Sequence, residues 1–291
     1  MKTLHFLKQN GLLDSFEELL ARTKLWDISD RDLKSLAQNS SFSDNNEYLS
    51  IVNLASDNDE VFIKFRANRQ YRKILEHVTK SVGNQYLKEV RGLDLKYKEL
   101  FETVSPLNNL GGPLKYRFSN LGRVSPTTIR YVYVHLKLME LFGSSEIKRV
   151  LEIGGGFGGQ AAVSTYLTPD LNWSIYDLPE VSRLQSKFIH TINPKANVSY
   201  LSGINIQENS GDLLISNYAL SEISRKLQLE YISKVVQNCA KGYMVWNLIS
   251  ERTGDGLNVQ EVLNLIPNSR AIDEYPLTDN GNKIIVWGAT T

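Results

Sequence analysis

One cysteine, Cys239, is all that the 291-residue chain contains. It cannot form an internal disulfide, which suits a reducing cytoplasm. Neither sign of charge is in excess: 33 basic residues against 32 acidic ones leave a formal +1, too weak a field to draw the chain to nucleic acid or a membrane surface. No apolar run reaches the ~18 residues of a membrane span. Lys8, Gln9 and Asn10 interrupt the first twenty residues, which therefore do not read as a secretory leader. Histidines number four, His5, His77, His135 and His190, and none stands at metal-ligand spacing from another His, Asp or Glu, so no metal is expected. Internal repeats and low-complexity tracts are absent as well. What remains has the 42% apolar and 22% charged composition of an ordinary globular protein, expected in the cytoplasm and acting on something small or delivered to it.

The two parts of the chain follow different patterns. Residues 1–105 read as a helical N-terminal region, a candidate lid or homo-oligomer contact. Ser15 followed by Glu18 has the spacing of a capping box ahead of Phe16, Leu19, Leu20 and Leu25. A long helix is expected from near Asn58, carrying Val61, Phe62, Phe65, Tyr71, Leu75 and Val78. Its basic run, Lys64, Arg66, Arg69, Arg72 and Lys73, reads first as a solvated helix face and second as a phosphate site. Asn108–Pro113 is turn-rich. A helix follows at Ser125-Pro126 and ends before Gly143.

From about residue 148 short apolar runs alternate with helical stretches. The runs are 149–153, 173–176, 198–201, 213–216 and 243–246, the pattern of a parallel sheet covered on both faces. Residues 270–275 and 283–287 flank Asn280-Gly281, which predicts a closing antiparallel pair.

The first run leads into Gly154, Gly155, Gly156, Phe157, Gly158 and Gly159. Gly154, Gly156 and Gly159 fit the G-x-G-x-x-G dinucleotide turn. Glu152, Gly154, Gly156 and Gly158 equally fit E-x-G-x-G-x-G, the pattern of class I methyltransferases, which bind S-adenosylmethionine. Glu152 would repel a pyrophosphate but help hold the amino-acid part of a cationic sulfonium ligand. Asp177, some twenty residues on, stands where a carboxylate accepts from a ribose 2′-hydroxyl; its plainer role is a cap for the helix at Pro179.

Several segments then resemble the sugar O-methyltransferases of bacterial surface-polysaccharide gene clusters. They are 212–225 (DLLISNYALSEISR), Gly242-Tyr243, Tyr275-Pro276-Leu277-Thr278, Ile285–Gly288 and, upstream, Ser125–Tyr131. The resemblance covers roughly residues 105–288. It implies the α/β, Rossmann-like class I methyltransferase fold over 106–291, a mostly parallel seven-stranded sheet with an antiparallel C-terminal edge. It also implies S-adenosylmethionine as cofactor and a sugar, nucleotide-sugar or glycan as acceptor. On this reading Glu152, Gly154–Gly158, Asp177, Leu178 and Asn217 hold the cofactor, while Arg130, Tyr218 and Ser221 face the acceptor. Glu222, just past the fourth strand, is the candidate general base; its plainer role is an acid favoured at a helix start. His135 reads as a packed helix residue, and His190 lies beyond the acceptor side. Two other readings remain open: methyl transfer to another natural-product hydroxyl, and a nicotinamide-dependent nucleotide-sugar oxidoreductase. The latter lacks a Tyr-x-x-x-Lys pair after the fourth strand.

Overall fold

The computed structural model describes residues 46–143, 146–249, 251 and 255–289. The helix expected after Ser15, and His5, lie outside the described residues. Seven strands form one sheet: β1 (Arg149–Ile153), β2 (Asn172–Asp177), β3 (Asn197–Ser202), β4 (Gly211–Asn217), β5 (Cys239–Trp246), β6 (Arg270–Asp273) and β7 (Lys283–Trp287). Their order across the sheet is β3-β2-β1-β4-β5-β7-β6. The first five strands are parallel, β7 runs antiparallel to β5, and β6 runs antiparallel to β7. This is the Rossmann-like arrangement expected, with the antiparallel pair at its C-terminal edge.

Strand side chains alternate between two cores. Val150, Ile175, Leu213, Ile215, Tyr243 and Val245 face one, whereas Leu151, Ile153, Tyr176, Leu214, Met244 and Trp246 face the other. The helices used below are α1 (Asn46–Asp57), α2 (Arg69–Ile74), α3 (Lys80–Leu93), α4 (Pro126–Phe142), α5 (Gly159–Leu167), α6 (Pro179–Ile192), α7 (Arg225–Lys234) and α8 (Val259–Leu265). Helices α1 to α6 contribute to the first core; α7 and α8 contribute to the second. Proline at the first position starts α4, and Gly143 at φ 75° ends it, as its sequence predicts.

The long helix expected from Asn58 is broken. Asn58 caps a single turn, Asp59–Phe62, and Asn68 caps a new start at α2. Each Asn side chain accepts from two backbone N–H groups, which competes with a continuous helix. The expected inward residues Val61, Phe62, Phe65, Tyr71 and Val78 are nonetheless buried. Arg66 departs from the basic face assigned to it: it is buried and ion-paired with Glu76. Its Nη1 donates to the Leu107 and Leu110 carbonyls, and its guanidinium lies 4.4 Å from the Phe157 ring centroid.

Candidate functional site

The order of the parallel strands reverses between β1 and β4: β2 flanks β1 on one side and β4 on the other. In open α/β sheets ligands bind at the carboxyl ends of strands around such a point. Here the glycine turn follows β1, Asp177 ends β2 and Asn217 ends β4.

Gly154, Gly156 and Gly158 have φ of 75°, 55° and 84°, a left-handed conformation costly for any residue with a Cβ. Backbone conformation is therefore one reason for glycine at alternate positions. Close packing is another: a Cβ at Gly154 would lie 2.0 Å from that of Ala219, and one at Gly155 would lie 2.6 Å from Ile175. At Gly156 the nearest atoms are terminal carbons of Leu75, from 3.2 Å. The main chain there is covered by a flexible side chain reaching over from the end of α2.

Asp177 ties this turn to its surroundings. Its Oδ2 accepts from the Gly155 amide at 3.0 Å and from Gln185 Nε2 at 2.8 Å, and its Oδ1 accepts from the Leu178 amide at 2.9 Å. Burial pushes its carboxyl up to about 6, and these hydrogen bonds pull the other way. Gln185 Nε2 also donates to the Gly156 carbonyl at 2.9 Å. Two buried acceptors nearby, Gln185 Oε1 and Asn217 Oδ1, have no hydrogen-bond partner.

Three expected site residues sit elsewhere. Glu152 pairs with Ile175 of β2 and Ile215 of β4 and shares their face of the sheet. It is buried, accepts from Trp173 Nε1 at 2.8 Å, and burial pushes its carboxyl up to about 8. Burial thus favours the neutral carboxyl, and its hydrogen bond goes to Trp173 of the core. Phe157 is also in the core, edge-on to Phe65, Tyr131 and Phe188. Ser221 is fully buried. Its hydroxyl donates to the Tyr218 carbonyl at 2.6 Å and accepts from the Asn247 amide at 3.1 Å, so it fixes the loop and does not face an acceptor.

Beyond β4 a cavity of about 490 Å³ is lined by Tyr218, Glu222, Asn247, Ile249, Thr278, Asp279, Asn282 and, from the N-terminal region, Lys73, Ile74 and His77. Tyr218 opens it at φ 76°, a strained conformation for a bulky residue. What holds that strain is a polar network. The Tyr218 hydroxyl donates to Glu274 and bonds Thr278 Oγ1 at 2.8 Å, while Glu274 also accepts from the Thr278 amide and from Asn282 Nδ2. Behind Tyr218 lies the buried Arg130, its guanidinium 4.9 Å from the ring centroid and its Nη2 without a partner.

Two carboxylates, Glu222 and Asp279, stand in the described lining, and Glu222 is the one next to β4. Its side chain is open to the cavity, yet the protein packed around the carboxyl desolvates it and raises its pKa, while a 2.6 Å hydrogen bond from Asn247 Nδ2 holds one oxygen and opposes the shift. His77 is a second proton acceptor, and sequence reasoning set it aside. Its Nδ1 lies 3.0 Å from the Ile74 carbonyl, a contact that assigns the proton to Nδ1 and leaves Nε2 as acceptor. Burial and the charge of Arg130 lower its pKa and favour the neutral ring. Glu274, Asn247, Thr278, Asn282 and His77 were not candidates from sequence; only the Tyr275–Thr278 segment had signalled any of them. His135, by contrast, is packed within α4 against Ser164.

Among the described residues no three His, Cys, Asp or Glu side chains could together hold a metal, and no helix is long and apolar enough to cross a membrane.

No protein-family model and no curated protein matches the chain. Solved structures do. PigF with SAH is 15% identical over 53% of this chain and 60% of that one, at a TM-score of 0.40. WbdD is 13% identical over 48% and 35%, at 0.38. The pyocyanin biosynthetic protein PhzM is 13% identical over 75% and 70%, at 0.41. The chain thus spans less than two thirds of the length of the first two.

Proposed function

We propose that this protein is an S-adenosylmethionine-dependent O-methyltransferase whose acceptor is a sugar hydroxyl, in the assembly of a surface glycan. The observation that carries the reaction class is the cavity at the end of β4, where Glu222, with a raised pKa and one oxygen held by Asn247, stands a few residues after Asn217, and Ala219 between them packs onto Gly154 of the glycine turn. The sugar rests on the sequence resemblance. Residues 106–291 would form the methyltransferase unit, with residues 1–105 serving as a lid or an oligomer contact.

The residues present fit the cofactor. Asn217 Oδ1 is a buried acceptor without a donor, suited to an ammonium. Asp177 Oδ1 accepts one bond and has capacity left for a ribose hydroxyl. Leu75 over Gly156 is a side chain that can swing aside. When bound, the sulfonium supplies an electrophilic methyl carbon. The chain's part is positioning, which in well-oriented systems supplies about 7–11 kcal/mol, and proton removal. Glu222 takes the proton from the acceptor hydroxyl as the new bond forms, a contribution of about 10²–10⁴-fold. Asn247 aims it, and the Glu274 network keeps Tyr218 in its strained pose beside it. His77, across the same cavity, is the alternative acceptor of that proton, favoured by its free Nε2.

The test is ligand-dependent melting of the full chain. S-adenosylhomocysteine should raise the melting temperature, while NAD and NADP should not; a shift with a nicotinamide cofactor alone overturns the assignment. A methyl-transfer screen against nucleotide sugars and short glycans, read by mass spectrometry, then tests the acceptor.

A further inference from the structure

A second cavity, of about 350 Å³, adjoins the first. Arg69, Arg72, Lys73, Glu76, His77, Val78, Thr79, Leu114, Tyr116, Pro126 and Thr127 line it. Lys73 and His77 line both cavities, so the two spaces share a wall. Arg69, Arg72 and Lys73 stand at i, i+3 and i+4 of α2, on one helix face. Arg69 and Lys73 are exposed on that face, and α2 has no acid in its first turn. The acid in the lining, Glu76, is committed to Arg66, with Ser125 Oγ at 3.4 Å from its other oxygen. Among the described residues of the lining, Arg69 and Lys73 therefore leave a net positive charge. Its wall also holds Thr127, only 1% exposed, whose Oγ1 is buried without any hydrogen-bond partner. An orphaned hydroxyl beside a cationic helix face is a donor waiting for an acceptor.

We propose that this cavity binds a phosphate group carried by the acceptor, so that the methylated sugar is a phosphate-linked one. Arg69 and Lys73 supply charge, Thr127 donates a hydrogen bond, and the sugar extends past Lys73 and His77 into the Glu222 cavity. The assignment of the sugar's place rests on the methyl-transfer reading of that cavity; the anion site does not. Both a nucleoside diphosphate sugar and a polyprenyl-linked one offer this chemistry.

Isothermal titration of the full chain with pyrophosphate, UDP-glucose and farnesyl diphosphate, with glucose as neutral control, tests it. Each phosphate probe that enters the site should bind, and glucose alone should not. Arg69→Gln and Lys73→Gln change exposed side chains and leave the fold intact. Each should weaken the bound probe about 10- to 100-fold, the range for a hydrogen bond to a charged group. Thr127→Val, which keeps shape, should do so by a similar factor while leaving S-adenosylhomocysteine affinity unchanged. UDP-glucose binding much tighter than farnesyl diphosphate assigns the soluble carrier, and the reverse assigns the lipid one. Phosphate probes that fail to bind, or bind equally well to all three variants, overturn the proposal. Phosphate binding lost in the variants, with no S-adenosylhomocysteine binding by any form, keeps the anion site and removes the methyltransferase reading instead.

Discussion

Gly154→Ala would introduce a methyl group 2.0 Å from the Ala219 Cβ, where carbon atoms ordinarily approach to about 3.5–4.0 Å. Two costs combine. Holding a residue with a Cβ at φ 75° costs roughly 1–2 kcal/mol, and relieving an overpacked contact costs about 1–3 kcal/mol. The sum, roughly 2–5 kcal/mol, corresponds to a melting temperature lower by on the order of 5–15 °C for a chain of this size. Ala219→Gly alone should cost about 1 kcal/mol or less. Combined with Gly154→Ala, it removes the clash but not the backbone strain. Urea unfolding of the two single variants and the double should therefore show a favourable coupling of about 1–3 kcal/mol. Additivity within ~0.5 kcal/mol would refute the view that Gly154 is bare because Ala219 packs onto it. The double variant should also keep its affinity for S-adenosylhomocysteine, because the missing Cβ faces protein. Gly156→Ala is the contrast: its Cβ meets the mobile Leu75, so ligand affinity should fall more than stability does.

Glu222→Gln should cut turnover by about 10²–10⁴-fold and leave S-adenosylhomocysteine affinity unchanged; His77→Gln should then be the milder variant, and the reverse ranking in steady-state kinetics moves the proton to His77. Because burial raises the Glu222 pKa, turnover should rise with pH through a value above the ordinary glutamate range, and that limb should vanish in Glu222→Gln. Asp177→Ala should weaken S-adenosylhomocysteine binding and also lower stability, since the Gly155 amide and Gln185 Nε2 lose their acceptor; unchanged calorimetric affinity removes the ribose role. Glu152 gives a stability signature. Its folded pKa of about 8 lies above the ordinary 4.5 of a glutamate, so its contribution is complete below pH 4.5 and is lost as pH rises through 8. Urea midpoints should fall between pH 6.5 and 8.5 in the wild type and fall less in Glu152→Gln; parallel curves would mean that Glu152 does not titrate in that window. Tyr218→Phe leaves the buried Glu274 short of one donor and should cost about 1–3 kcal/mol in unfolding free energy.

The parts of this molecule that local chemistry determines could be read along the chain. Glycine at 154, 156 and 158 signals a backbone that turns left-handed there, and Ser125-Pro126 to Gly143 marks both ends of α4. Short apolar runs gave the strand centres, and Asn280-Gly281 gave the closing antiparallel pair. The direction a strand residue faces was another matter. A parallel strand buried on both faces has no polar alternation, so nothing in Leu151-Glu152-Ile153 says that Glu152 points between Ile175 and Ile215 into the core. Phe157, inside the glycine turn, could likewise be taken for a ligand contact when its ring packs among Phe65, Tyr131 and Phe188. Asn68 illustrates the opposite error: apolar spacing ran straight through it, yet its side chain captures two amides and restarts the helix. That restart has functional weight, because it turns Arg69, Arg72 and Lys73 away from the buried Arg66 and sets them along a cavity. Convergence over long separations was beyond any motif. Tyr218, Glu274, Thr278 and Asn282 meet only because β6 and β7 return beside β5, and His77 comes to line one cavity with Glu222 although 145 residues separate them. The resemblance in Tyr275–Thr278 thus marks a support for Tyr218, placing the strain of that residue among the features on which the acceptor cavity depends.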